Sequence, residues 1–124
     1  NSIASGGNYN VCVGDEAGTA IVTGDGNTLV GFQSGANTTG ADNVLLGYWA
    51  GKSQTTASNN IKIGPFAGHD GNGDQNCFIG RSSGYYSSGA NNTFVGRSAN
   101  NGSGGAMTTG SKNTIIGGAV GWGW

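Results

Sequence analysis

The segment HDGNGDQN, residues 69–76, is the one stretch with metal-ligand spacing. Asp70, Asn72 and Asp74 match the first three ligand positions of a helix–loop–helix calcium site, which would next need glycine at 75 and glutamate at 81. The chain has Gln75 and Arg81 there, so a solvated turn is expected, and no metal or cofactor. His69 is the single histidine, and any Ser-His-Asp or Cys-His centre would have to be built on it. Acidic side chains number six, and the only adjacent pair is Asp15–Glu16, a poor start for two-carboxylate glycoside cleavage. Catalysis is not expected. Cys12 and Cys77 give no disulfide framework.

The elements that must hold these residues are short and repeated. NVCVG, NTLVG, NVLLG, NIKIG, NCFIG, NTFVG and NTIIG begin at Asn10, Asn27, Asn43, Asn60, Asn76, Asn92 and Asn113, with spacings of 17, 16, 17, 16, 16 and 21. A period this regular predicts one coil of a solenoid per repeat. Counting each Asn as position zero, glycine occupies +4 in every copy: Gly14, Gly31, Gly47, Gly64, Gly80, Gly96 and Gly117. Position +8 is glycine in six copies and Asn100 in the other. Both residue types reach positive φ at low cost, so these columns predict the corners of the coil.

Position +3 is aliphatic throughout: Val13, Val30, Leu46, Ile63, Ile79, Val95 and Ile116. It shares a strand face with +1, where Val, Ile, Thr and Cys stand. These two columns are expected to line the coil interior, together with the small residues at +7. Position +2 would then point outward, yet it holds Cys12, Leu29, Leu45, Phe78, Phe94 and Ile115, with Lys62 the only polar member. A strand apolar on both faces is normally covered on both sides. Leu29, Leu45, Phe78, Phe94 and Ile115 are therefore expected at a subunit interface. The fold expected is all-β, a parallel β-roll or β-solenoid of about seven 16–17-residue coils. It forms one domain over residues 1–124, most simply a homotrimer.

Composition narrows the partners. With 27 glycines, one proline and a net charge of −1, the chain has no basic stripe for nucleic acid and no apolar run long enough to span a membrane. Phe32, Tyr48, Trp49 and Phe66 follow the strands and are expected to bury against a neighbouring chain. Tyr85 and Tyr86 lie further into a loop and are candidates for contact with a glycan or another partner. Trp122 and Trp124 lie past the last repeat, as a terminal cap or docking tail over 122–124. Ice binding needs a flat threonine array, and Thr28, Thr93 and Thr114 are too few and expected to face inward.

Segments such as NTLVGFQSG, NVLLGYWAG and NTFVGRSAN resemble the head repeats of trimeric autotransporter adhesins, and more closely the Asn-Thr-x-x-Gly-x-x-Ala-Gly repeats of bacteriophage tail fibres. The likeness spans about residues 8–121. It implies a structural shaft or head in a host-binding fibre, three chains together, on a virion or outside the cell, with loops displayed toward host glycans. A filament subunit stacking end to end is the alternative.

Overall fold

The computed structural model describes residues 6–101 and 108–119. Seven three-residue strands, β1 Val11–Val13, β2 Thr28–Val30, β3 Val44–Leu46, β4 Ile61–Ile63, β5 Cys77–Ile79, β6 Thr93–Val95 and β7 Thr114–Ile116, form one parallel sheet in chain order. Each pairs with the next in the register of the repeat: Thr28 lies beside Val44, Leu29 beside Leu45, Val30 beside Leu46. No helix occurs among the described residues. The chain is a β-solenoid.

Backbone bonds run along the stack at every corner as well as in the strands. From Gly31 onward the amide of each +4 glycine donates to the +3 carbonyl of the preceding coil, as Gly47 N to Val30 O and Gly64 N to Leu46 O, both 2.8 Å. The +4 glycines carry φ between 127° and 141°. A Cβ on Gly47 would also stand 2.7 Å from the backbone of Gly64. The expected corners are therefore present at +4, and glycine is required there for conformation and for space. The +8 corner is left-handed in every described copy, Asn100 included (φ 47°).

The positions just before and between these corners add an unforeseen feature. Residues at −1 and +6 are also left-handed, and apart from Gly26 none is glycine: Asp42, Asn59 and Asn91 stand before the strand, Gln33, Trp49 and Phe66 between the corners. Such a conformation is uncommon for bulky side chains. At +6 it is held by a bond up the stack, Trp49 N to Phe32 O at 3.0 Å and Phe66 N to Tyr48 O at 2.9 Å.

The facing of the strand residues is the reverse of the expectation. Leu29, Leu45, Phe78 and Phe94 at +2 are fully buried inside the coil, with Cys12 and Ile115 packed against them at the two ends. Val13, Val30, Leu46, Ile63, Ile79, Val95 and Ile116 at +3 point outward, with Val13 56% and Ile116 75% exposed. The lumen width decides this. An added Cβ on Gly51 would lie 2.9 Å from Leu45, and one on Gly84 2.6 Å from Phe78. So narrow a lumen admits one large side chain per coil, set against Ala or Ser at +7 and glycine at +8. Two columns, +1 and +3, would not fit.

The repeat asparagines form a second ladder inside the coil. Asn27 Oδ1 accepts both the backbone amide and the Nδ2 of Asn43, each at 3.0 Å, and Asn43 Nδ2 also donates to Ala57 O at 3.0 Å. Asn43 Oδ1 in turn accepts from Asn60 N and Nδ2, both at 3.1 Å. The backbone link continues from Asn10 to Asn113. Asn27, Asn43, Asn60, Asn76 and Asn92 are buried, so each bond lost among them leaves a buried polar atom unpaired, at about 1–3 kcal/mol.

Two substitutions separate these constraints. Asn43→Ala is expected to lower the unfolding free energy by about 2–5 kcal/mol, several unpaired groups being left behind. Gly47→Ala is expected to cost about 2–4 kcal/mol from a disfavoured φ and a backbone clash. Urea melts followed by circular dichroism measure both. Gln33→Gly, which relieves a left-handed φ but gives up the side-chain bond to Glu16, should change stability by less than about 1 kcal/mol.

Candidate functional surface

Two surfaces of the solenoid carry groups able to meet a partner. The first is the outward sheet face. Its +1 column runs Val11, Thr28, Val44, Ile61, Cys77, Thr93, Thr114, and its +3 column runs beside it. Neither contains a charged residue. Because the strands stack in register, like positions recur at about 4.8 Å along a flat strip. Leu29, Leu45, Phe78, Phe94 and Ile115, expected at an interface, are instead interior. Thr28, Thr93 and Thr114 face outward rather than inward. They remain three positions among aliphatic neighbours and make no continuous threonine array.

The second surface is an aromatic belt along the corner beside that strip. Phe32 stacks on Tyr48 with centroids 5.4 Å apart, and Tyr48 on Trp49 at 5.0 Å. Phe66 meets both Tyr48 and Trp49 edge-on. His69 continues the belt to Tyr85 at 4.8 Å, and Tyr85 reaches Tyr86 at 4.5 Å. Lys52 Nζ lies 3.8 Å from the Trp49 ring centre, a cation over an aromatic face. Trp49 and Phe66 both stand on left-handed backbone.

In the single chain the rings are covered to different degrees. Phe32 and Tyr48 are exposed, Trp49, Phe66 and Tyr85 half-buried, and Tyr86 exposed. Within one chain the rings cover one another. Trp49 Nε1 and His69 Nε2 are shielded and unbonded. Burial, then the neighbouring Asp70 and Tyr86, push the Tyr85 phenol above its usual pKa. Trp122 and Trp124 lie outside the described residues.

The calcium-like loop is committed elsewhere. Asp70 Oδ1 is 2.7 Å from His69 Nδ1. Asn72 Oδ1 accepts from Thr55 N at 2.9 Å, and Asp74 Oδ1 from Ser58 N at 2.8 Å. Asn72 and Asp74 thus bind the coil below, and Asp70 binds its neighbour His69, instead of the three converging. No cluster of three or more His, Cys, Asp or Glu residues suited to a metal occurs among the described residues. Cys12, in the interior column with its thiol pKa raised by burial, and Cys77, in the outward column, are both free.

Lys62 is the unexpected member of the interior. It is wholly buried between Leu45 and Phe78 in the +2 column. Its Nζ donates to Gly68 O at 3.1 Å and Gly71 O at 2.8 Å. Burial pushes its pKa down to about 7. The sequence marked it only as a departure in an apolar column. Reading that column as outward concealed that its charge would be buried.

No family model, curated protein or solved structure matches the chain. The two surfaces therefore stand on their geometry alone. Because the oxygens of Asn72 and Asp74 already hold the adjacent coil, calcium at millimolar concentration is expected to leave the melting temperature unchanged within about 1 °C, with no binding heat in calorimetry. A saturable heat accompanied by a rise in melting temperature would contradict this assignment.

Proposed function

We propose that the chain is a structural module: a stiff segment of rod that packs copies of itself along the outward sheet face and displays its loops and aromatic belt. The observation that carries this reading is the uncharged, in-register +1/+3 strip. Val11, Val13, Ile61 and Ile116 on it are 42–75% exposed in the single chain, apolar surface that a second copy would cover. A second copy has the same coil spacing and the same absence of charge. Apolar positions therefore meet apolar positions along the whole length, with no charge to desolvate.

Three copies around a common axis remain the simplest arrangement, now with the +1/+3 strip inside the bundle in place of the +2 column. The fibre of a bacteriophage tail, or a comparable virion appendage, is the setting that the likeness of the repeats supports. The belt, which ends in the exposed Tyr86, is the part of such a rod suited to stacking on a sugar ring of a host surface.

Light scattering after size exclusion tests the assembly. The expected mass is three times the 12.3 kDa chain. Ile61→Lys or Ile79→Lys, each placing a charge on the strip, should reduce it to one chain while the β circular-dichroism signal persists. A wild-type mass of one chain sinks the packing proposal. Two chains would keep the strip as the interface and remove the three-fold arrangement. An open-ended polymer that both variants leave intact would move the joint to the coil ends, as in an end-to-end filament.

A further inference from the structure

Lys62 interrupts the lumen. On one side lies an apolar cluster of Ala17, Ile21, Leu29, Leu45 and Ala50. On the other lie Phe78, Phe94 and Ala99. Between them the lysine stem packs across Gly68 and Gly51, with Cδ and Cε 2.6 Å from where a Gly68 Cβ would stand. The amine donates to two carbonyls, those of Gly68 and Gly71, and otherwise faces the Phe78 ring at the limiting distance of 6.0 Å from its centre. A neutral amine has two N–H donors, and both are satisfied. An ammonium has three, so protonation in place leaves one donor unpaired and a charge without a counterion.

No carboxylate offsets that charge. In the same coil His69 and Asp70 pair with each other, and Asp74 binds Ser58. From the coil before, Tyr48 and Lys52 belong to the outer belt, Lys52 over Trp49. From the coil after come Cys77 on the outward column, Arg81 beside the Phe66 ring, and Tyr85 and Tyr86 of the belt. Among the described residues the only salt-bridge-range contact is His69 Nδ1 with Asp70 Oδ1, at 2.7 Å.

We propose that the coil carrying β4 is a proton-linked joint. The closed stack holds Lys62 as the neutral amine, and opening of this coil admits water to Nζ and takes up one proton.

The folded pKa, about 7, lies below the unfolded value near 10.5. Between these limits the open coil holds more protons than the closed one. The closed state therefore gains stability as pH rises through that window, and each unit changes the opening constant about tenfold. Below about pH 7 both states are protonated and the dependence vanishes.

Hydrogen exchange of the intact protein, read by mass spectrometry between pH 7.5 and 9.5 and corrected for intrinsic exchange, reports opening at β4. In the wild type the opening constant should fall about tenfold per pH unit. Lys62→Met should abolish that slope and raise protection at pH 7.5. Equal slopes in the two proteins, or no slope in the wild type, would overturn the proposal. Should the variant fail to fold, a 13C titration of Lys62 Cε in the wild type decides alone. A midpoint near 7 supports the joint, and one near 10.5 refutes it.

Discussion

The spacing of one coil on the next, fixed by backbone hydrogen bonds between parallel strands, is the constraint from which the rest of this structure follows. Chains about 4.8 Å apart leave no room for a side chain directed along the stack. Glycine at +4 is the direct consequence, since a Cβ there would enter the backbone above. The asparagine ladder exploits the same spacing. A side-chain amide in one coil reaches its counterpart in the next at 3.0–3.1 Å in the pairs Asn10–Asn27, Asn27–Asn43, Asn43–Asn60 and Asn92–Asn113. It therefore satisfies strand-entry donors that a narrow lumen would otherwise bury unpaired. Serine at +7 uses the spacing again, Ser34 Oγ donating to Leu45 O at 2.7 Å and Ser83 Oγ to Phe94 O at 3.0 Å.

A lumen this narrow also sets what the interior can contain. One large residue per coil fills it, and glycine at +8 presses against that residue's side chain. Phe78 and Phe94 stack there almost parallel, centroids 4.9 Å apart. In the same column Lys62 is a length match more than a chemical one. Its methylenes occupy the volume of an apolar side chain, and its amine ends on carbonyls of the +8 corner, Gly68, and of the turn after it, Gly71. Such a position favours the neutral form because charging it costs desolvation with no opposite charge in return.

The sequence showed the period, the parallel stacking and both glycine corners, because spacing and φ preference are local properties. It did not show which face of the strand is inside. Alternation assigns +1 and +3 to one side and +2 to the other, but in a three-residue strand apolar on both faces the parity is undetermined. The usable signal was size. Small residues at +7 and glycine at +8 leave space for one bulky partner, and Phe78 and Phe94 at +2 are the bulkiest strand residues in the repeats. Lys62 pointed the other way, since a charged residue in a column argues for solvent. The role of asparagine was equally hidden. Its recurrence was plain, but a buried amide ladder is a contact between coils and appears only once they are stacked. The left-handed residues at +6 were not legible at all, because Trp49 and Phe66 carry no local preference for that conformation.

Stacking of this kind couples each coil only to its neighbours. A weak coil is then a local matter: the cost of Lys62 falls on the coil of β4 and the two beside it, while β1 and β7 do not sense it directly. The outward strip changes this balance if it is covered as proposed. A partner laid along +1 and +3 touches every coil at once, so opening any one of them breaks contacts with a surface held by all the others. Assembly along the strip would thus turn a chain of pairwise steps into one cooperative unit, stabilising the middle coil most where its interior is weakest. The apolar residues that a narrow lumen must leave outside are then the means by which distant coils act together.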